Sequence, residues 1–270
     1  MQNISRFAEL NTTSKIWAIG SIHSHINSFE TIKKHILNNF EKNDKIIFLG
    51  NIIGVGSFAK QTLTSVLDLR SKLMASFCLE PNDIVFLRGA QEEMFLKLLQ
   101  IQTAPNPKEI IEWMFEHGVD KTIHSYGLDS NELFLTSTQG IIRLTKWSAD
   151  LNKVLGKNFG HKEYFSNLCH AAFPKSKKIL FVNRGVDVTR PLSAQSDCFW
   201  WGYHNFSKLE KPYRTFKKII RGYDPSQLGK FNLNSNKTVF SLYTGPLSNT
   251  KILGGIFSDS GDILDLFESK

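Results

Sequence analysis

Two spacings of hydrophobic residues alternate along the first hundred positions of the chain. Short apolar runs, typical of buried strands, occupy residues 15–20, 45–50 and 83–89. Between these runs, apolar residues recur every three or four positions, which predicts amphipathic helices over residues 26–40 and 57–77. A third helix is predicted from about Gln91. This order of strands and helices predicts a mostly parallel sheet covered by helices.

The middle of the chain has a different pattern. Residues 93–172 contain one candidate strand, ELFLTS at 132–137, and helical spacing at 109–118 and 162–173, so we expect a helical insertion packed on the sheet. The last third returns to apolar runs at 177–185, 216–222, 237–245 and 251–268. The last of these predicts a hairpin around SDSGD. Without repeats or a linker, residues 1–270 are predicted to form one domain.

Composition narrows the class of protein. Of the 270 residues, 41% are hydrophobic and 21% are charged, as in globular proteins with a substantial core. No apolar run reaches the roughly 18 residues of a membrane span, and the N-terminal residues lack a signal-peptide core. Three widely spaced cysteines indicate reduced, mostly buried thiols. We therefore expect a cytoplasmic protein that does not bind membranes.

The charge balance points to anionic partners. The formal net charge is +8, and residues 208–224 interleave lysine and arginine with Tyr213, Phe216 and Tyr223. Such a segment is compatible with RNA binding, although no nucleic-acid-binding motif accompanies it. The other interpretation is a lysine-rich surface exposed to solvent.

Five strand-to-loop junctions carry the strongest signal. They are AIGSIHSH (18–25), FLGNIIGVG (48–56), FLRGAQEE (86–93), FVNRGVD (181–187) and IIRGYDP (219–225). In order and spacing they resemble the junctions GDxHG, GDxxDRG, GNHE, HAG and GH of the phosphoprotein phosphatase family of calcineurin-like metallophosphoesterases. The segments at 112–127 and 185–202 extend this resemblance, which covers about residues 15–267. It is greatest to the bacterial branch of serine/threonine phosphatases and diadenosine tetraphosphatases.

The resemblance implies a fold and a chemistry. The implied fold is an α/β four-layer sandwich, α/β/β/α, with two mixed sheets and the helical insertion at about 93–172. The implied chemistry is phosphate-ester hydrolysis by two divalent metals, such as Mn, Fe or Zn, held by two Asp, one Asn and three His. The corresponding positions of this chain are Ser21, His23, Asn51, Ala90, Asn183 and Tyr223. Because His23 alone keeps the family's residue type, we expect neither a metal site nor another cofactor.

The residues that act beside the metals in the family are also replaced. Gln91 stands at the catalytic His position, and Gly54 stands at the position of its Asp partner. Val55 and Gly202 stand where the family has arginines that bind phosphate. Gln cannot protonate a leaving alkoxide at neutral pH. We therefore predict a pseudo-phosphatase with no catalytic residue; the alternative is an active phosphoesterase with a rebuilt site.

A pseudo-phosphatase of this kind would still bind something. Strand alternation places Arg184 and Arg221 on the same side of the predicted strand ends, where their charge would attract phosphate. The alternative is that they face solvent or pair with Asp187 and Asp224. The predicted ligand is a phosphorylated molecule, a nucleotide or a protein partner. The candidate ligand-binding residues are Arg184, Arg221, His23, Asn51 and Asn183.

Two further expectations concern neighbours of these positions. Glu92 and Glu93 are expected to cap or pair at the start of the helix after Gln91 rather than to catalyse. Tyr223 and the pair Trp200–Trp201 are expected to be packing residues that fill space near the core.

Overall fold

Two five-stranded mixed sheets form the centre of the computed structural model, which describes residues 6–11, 14–203, 206, 209–226, 238–245, 247 and 249–270. The first sheet has the order β10-β9-β2-β3-β4, with strands β2 (Ile16–Ile19), β3 (Lys45–Phe48), β4 (Ile84–Phe86), β9 (Leu253–Phe257) and β10 (Ile263–Glu268). The second has the order β1-β5-β6-β7-β8, with strands β1 (Phe7–Leu10), β5 (Ala171–Pro174), β6 (Ile179–Val182), β7 (Lys218–Arg221) and β8 (Val239–Ser241).

The helices of the described residues lie mainly against the first sheet. They are α1 (Ile26–Asn39), α2 (Ala59–Phe77), α3 (Ala90–Leu98), α4 (Pro107–Glu116), α5 (Val119–Ser125), α6 (Ser130–Ser137), α7 (Ile141–Gly156), α8 (His161–Ser166) and α9 (Cys198–Trp201). Helix α3 is the helix predicted from about Gln91, and α4 to α8 lie within the range 93–172 predicted as a helical insertion. These six helices share one hydrophobic cluster with the outer face of the first sheet. None of the helices in the described part of the chain combines the length and hydrophobicity of a membrane span.

Strand alternation sorts the core into three layers, because successive side chains point to opposite faces of a sheet. In β2, Ala18 packs between the two sheets and Trp17 packs against the helices. In β6, Phe181 packs between the sheets and Leu180 faces outward. The outward face of the second sheet is covered by α9, a 3₁₀ turn at Leu192–Ala194 and irregular chain. The predicted α/β sandwich of two mixed sheets is confirmed.

Two local predictions were wrong, and one strand was missed. ELFLTS is helix α6, which the Asp129 side chain caps by accepting a hydrogen bond from the Asn131 N–H at 2.9 Å. The helix predicted to reach residue 173 ends at Ser166, because the apolar run that follows becomes β5, paired with both β1 and β6. Strand β1 itself was not predicted.

The remaining predictions concern the C-terminal strands, the cysteines and the basic segment at 208–224. Strands β6, β7 and β8 and the β9–β10 hairpin lie where apolar runs predicted strands. Cys78 is exposed at the end of α2, contrary to the expectation of mostly buried thiols, whereas Cys198 is buried. Lys208 of the basic segment and residue 237 lie outside the described residues. Tyr213 and Phe216 of that segment are buried core residues.

Candidate functional site

The loops after β2, β3, β4, β6 and β7 meet at one edge of the sandwich. Two hydrogen bonds join loops of the first sheet to loops of the second: Ser21 N–H donates to the Gly222 carbonyl at 3.1 Å, and Asn183 Nδ2 donates to the Leu49 carbonyl at 2.6 Å. Parallel strands place their carboxyl ends at the same edge, where ligand sites of α/β proteins commonly form. Six residues that the resemblance equates with metal ligands lie in or next to these loops: Ser21, His23, Asn51, Ala90, Asn183 and Tyr223. We call this edge the strand-end site.

Asn51 occupies the centre of the loop after β3, in the sequence GNIIGVG. Its side-chain Oδ1 accepts a hydrogen bond from the Gln91 N–H at 3.1 Å, and its Nδ2 donates to the Ser21 hydroxyl at 3.2 Å. The residue is 1% exposed. Asn51 and Val55 both have positive φ, 54° and 57°, a conformation that is unusual for a β-branched residue such as Val55. The turn thus keeps its shape while its amide side chain is committed to hydrogen bonds within the protein.

Glu92 holds the same loop from the first turn of α3. Its buried carboxylate accepts hydrogen bonds from the backbone N–H groups of residues 51, 52, 53 and 89, at 2.7 to 3.3 Å, and from the Tyr164 hydroxyl at 3.2 Å. Burial raises the pKa of Glu92, and the backbone donors oppose that rise. The neighbouring Glu93 pairs with Arg88 at 3.0 Å. The expected structural role of both residues is confirmed, but the sequence did not indicate that Glu92 fixes the loop.

Neighbouring side chains occupy the space next to two glycines of the site. At Gly54, where φ is +92°, an added Cβ would lie 2.0 Å from Gln91 Oε1, so the Gln91 side chain occupies this space. Gln91 Nε2 also donates to the His117 carbonyl at 3.0 Å. At Gly202, where φ is +85°, an added Cβ would lie 2.8 Å from Arg184 Nε. Gln91 and Arg184 therefore occupy the space where side chains at positions 54 and 202 would begin.

His23 lies on the other side of the site and is 5% exposed. Neither of its ring nitrogens has a hydrogen-bond partner among the described residues, and its ring meets the Tyr223 ring edge-on at 5.6 Å. Burial lowers the pKa of His23 to about 3, so the imidazole is neutral at pH 7. The buried Oδ1 of Asn183 and hydroxyl of Ser24 also lack partners in the described part of the chain.

Arg184 and Arg221 differ in their burial and in their partners. Arg221 is 6% exposed, donates from Nε to the Ser241 hydroxyl at 2.7 Å and pairs with the Asp224 carboxylate. Its charge is thus already engaged by Asp224, the partner that the pairing interpretation named for it. Arg184 is half-buried, and its guanidinium lies 5.7 Å from the centre of the Tyr223 ring. No carboxylate of the described residues pairs with it, since Asp187 pairs with Arg190 at 3.3 Å instead.

The donor set does not fit a dinuclear metal centre. Of the six corresponding positions, Ala90 has no donor atom, and none of the other five supplies a carboxylate. The Asn51 amide is already hydrogen-bonded on both atoms. Mn²⁺ and Fe²⁺ bind most readily where carboxylate or several imidazole ligands are available, and His23 alone supplies an imidazole. Within the described ranges, no three His, Cys, Asp or Glu side chains are grouped closely enough to hold a metal ion.

The chain was compared with known proteins. No family model and no curated protein sequence matches it. Among solved structures, one described as a diadenosine tetraphosphatase is similar at 12% identity and a TM-score of 0.54, over 98% of both chains. A variant of a cold-active protein tyrosine phosphatase is similar at 10% identity and a TM-score of 0.55, over 97% of this chain and 82% of that one. Identities this low establish a shared fold and say nothing about activity.

Proposed function

We propose, from the calcineurin-like metallophosphoesterase fold of this chain, that the strand-end site binds a phosphate-bearing ligand without hydrolysing it. The observation that carries the proposal is Arg184. It lies against Gly202, is half-buried, and has no carboxylate partner among the described residues. A guanidinium group offers paired N–H donors that match phosphate oxygens, and partial burial strengthens that attraction.

The residues present at the strand-end site are the reason to expect no hydrolysis. Metal-assisted hydrolysis needs ions that polarise the phosphate and generate hydroxide, and the residues at the ligand positions do not fit such ions. Proton transfer to the leaving oxygen needs an acid, and Gln91 has no ionisable proton at neutral pH. Gln91 is also committed to the His117 carbonyl at 3.0 Å.

An active phosphoesterase with a rebuilt site is the second candidate. The observation that favours it is that two buried polar groups, the His23 imidazole and the Asn183 Oδ1, have no hydrogen-bond partner among the described residues and would be available to a single metal ion. Turnover of p-nitrophenyl phosphate with added Mn²⁺ separates the two candidates. The binding proposal expects no metal-stimulated turnover. If turnover is stimulated by Mn²⁺ and is lost in His23→Asn, the binding proposal is wrong and the chain is an active phosphoesterase.

The binding proposal is tested with inorganic phosphate as the probe. We expect phosphate to raise the melting temperature of the wild type and to bind measurably by calorimetry. Arg184→Gln should weaken binding by about tenfold or more, because a charge-assisted hydrogen bond contributes about 1.5–3 kcal/mol. Arg143→Gln is the matched control, since Arg143 is an exposed arginine on α7. Equal binding by the Arg184 and Arg143 variants would refute the proposal.

A further inference from the structure

The outward side of helix α7 carries a stripe of lysine and apolar residues. Ile142, Lys146, Ala149, Lys153 and Lys157 follow one another at spacings of three or four residues, so they lie along one side of the helix. All five are exposed, and the buried residues of α7 occupy the opposite side. None of the five is acidic. We call these five residues the α7 stripe.

Large apolar side chains are exposed at both ends of the α7 stripe. At its start, Ile142 is 83% exposed and the preceding Ile141 is 63% exposed. Just beyond its end, Phe159 is 94% exposed in the turn between α7 and α8. Asn158 holds this turn, because its Nδ2 donates to the Val154 carbonyl at 2.7 Å. Single exposed apolar residues are ordinary, but two such positions at the ends of one basic stripe indicate a contact surface.

The lysines of the α7 stripe keep their charge available to an external partner. The exposed lysines that form ion pairs in the described part of the chain all lie outside α7 and α8. Lys162, exposed at the start of α8, extends the positive charge past Phe159. Asp150 is the acidic residue of α7, and it lies beside the stripe rather than on it. The surface is therefore positive along its length and apolar at two points.

An anionic bilayer surface matches this combination better than RNA or another protein does. Lysine is depleted where proteins bind each other. RNA would be attracted to the lysines, but its bases stack on aromatic rings, and isoleucine offers none. In a bilayer, lysines are attracted to anionic headgroups while isoleucine and phenylalanine gain from contact with the acyl chains. Each part of the α7 stripe therefore has a counterpart in an anionic membrane.

We propose that the α7 stripe, together with Phe159, docks this protein on the surface of a membrane that contains anionic phospholipids. Helix α7 lies along the membrane, its lysines contact the headgroups, and Ile142 and Phe159 enter the boundary with the acyl chains. A peripheral contact of this kind needs no spanning segment, so the lack of a long apolar run in the sequence does not oppose it. The contact is independent of any ligand at the strand-end site.

Flotation of the chain with lipid vesicles tests the proposal. We expect binding to vesicles of phosphatidylcholine mixed with phosphatidylglycerol, none to vesicles of phosphatidylcholine alone, and weaker binding as salt is added. Lys146→Gln/Lys153→Gln/Lys157→Gln should weaken binding about a hundredfold, since each lysine near an anionic surface contributes about fivefold. The matched control changes the net charge equally at exposed lysines outside α7 and α8: Lys34→Gln/Lys42→Gln/Lys175→Gln.

A second pair of variants tests the apolar contacts. Ile142→Ala/Phe159→Ala should weaken vesicle binding by about tenfold or more, because both side chains lose an apolar environment. Phe58→Ala/Leu264→Ala is the matched control, since Phe58 is 51% exposed and Leu264 is 52% exposed on other elements. Urea denaturation checks that each variant is folded before its binding is compared.

Four outcomes would overturn the proposal. The wild type could fail to bind anionic vesicles. The two lysine variants could lose binding equally, which would attribute it to the net charge of the chain. Ile142→Ala/Phe159→Ala could bind as the wild type does, which would exclude insertion. Finally, RNA binding or dimerisation that depends on the α7 stripe, without vesicle binding, would assign the stripe to RNA or to a second copy of the chain.

Discussion

The strand-end site has two halves that differ in how their polar groups are satisfied. In the packed half, formed by Ser21, Asn51, Gln91 and Glu92, the Asn51 amide and the Glu92 carboxylate are hydrogen-bonded within the protein. In the open half, formed by His23, Asn183, Arg184 and Tyr223, the buried His23 nitrogens and Asn183 Oδ1 lack partners in the described part of the chain.

This difference separates two kinds of polar group in the site. Where a side chain is hydrogen-bonded within the protein, as Asn51 is, the loop that carries it is part of the structural framework. Where buried polar groups lack partners among the described residues, they retain unused hydrogen-bonding capacity, which natural proteins rarely leave unsatisfied without a reason such as a bound water or ligand. Stability should therefore depend on the packed half and binding on the open half.

The largest effect is expected at Glu92, in the packed half. Glu92→Ala removes the acceptor of four backbone N–H groups and leaves those donors buried, so we expect the free energy of unfolding to fall by about 4 kcal/mol. Urea denaturation measures this loss. Glu163→Ala, at an exposed position of α8, should change stability by less than about 0.5 kcal/mol.

A second variant keeps that test decisive if Glu92→Ala does not fold. Glu92→Gln retains the shape and one acceptor oxygen, so it should fold with an intermediate loss of stability. A stability of Glu92→Gln or Glu92→Ala equal to that of the wild type would show that the packed half does not hold the loop.

Restoring family carboxylates to the packed half is expected to damage it. In Ser21→Asp/Asn51→Asp, the new charge at position 51 lies beside the buried Glu92 carboxylate, which already binds the residue 51 N–H at 2.7 Å. Like charges in a buried site oppose each other, so we expect a loss of about 3 kcal/mol in stability. We also expect no phosphatase activity, because Ala90, Gln91 and Tyr223 are unchanged.

Denaturation and p-nitrophenyl phosphate turnover with Mn²⁺ measure these two effects together. Ser21→Ala is the control, because it removes one hydrogen bond without adding a charge. A double variant that is stable and hydrolyses the substrate would show that the correspondence with the family's ligand positions is wrong.

The fold was predictable because the apolar runs are short stretches of sequence and the five junctions follow one another in a recognisable order. The three parallel strands of the first sheet follow from apolar runs, and the five junctions give the order of the loops. Strand β1 was missed because its four residues gain their stability from pairing with β5, which is some 160 positions away in the chain. The run ELFLTS was misassigned because six residues do not distinguish a strand from a helix without the cap at Asp129.

The candidate site was predictable in position and less so in its contacts. Alternation placed Arg184 and Arg221 on one side, but only the structure shows that Asp224 and Ser241 bind Arg221 and leave Arg184 free of them. Similarly, Gln91 and Gly54 are 37 positions apart, so the sequence alone did not show that one side chain fills the space beside the other. Long-range contacts of this kind decide which half of the site is packed.

The smallest of these expected effects concerns pH and the open half. The pKa of His23 is about 3 in the folded protein and about 6.5 in the unfolded chain, so between these values the unfolded chain binds more protons. Stability conferred by the neutral ring is therefore complete above pH 6.5 and is lost as pH falls, by about 2 kcal/mol at pH 5.

A substitution at His23 separates its contribution to the pH dependence of stability from the contributions of the other histidines. His23→Asn carries no titratable group, so its stability should depend less steeply on pH between 6.5 and 4 than that of the wild type. His161 also has a lowered pKa, about 4, but its two ring nitrogens lie within hydrogen-bond distance of the Tyr126 and Thr64 hydroxyls. It should therefore keep its own pH dependence in the variant. Denaturation curves at each pH measure the slopes. Equal slopes in wild type and His23→Asn would mean that burial does not hold the His23 imidazole neutral in the folded protein.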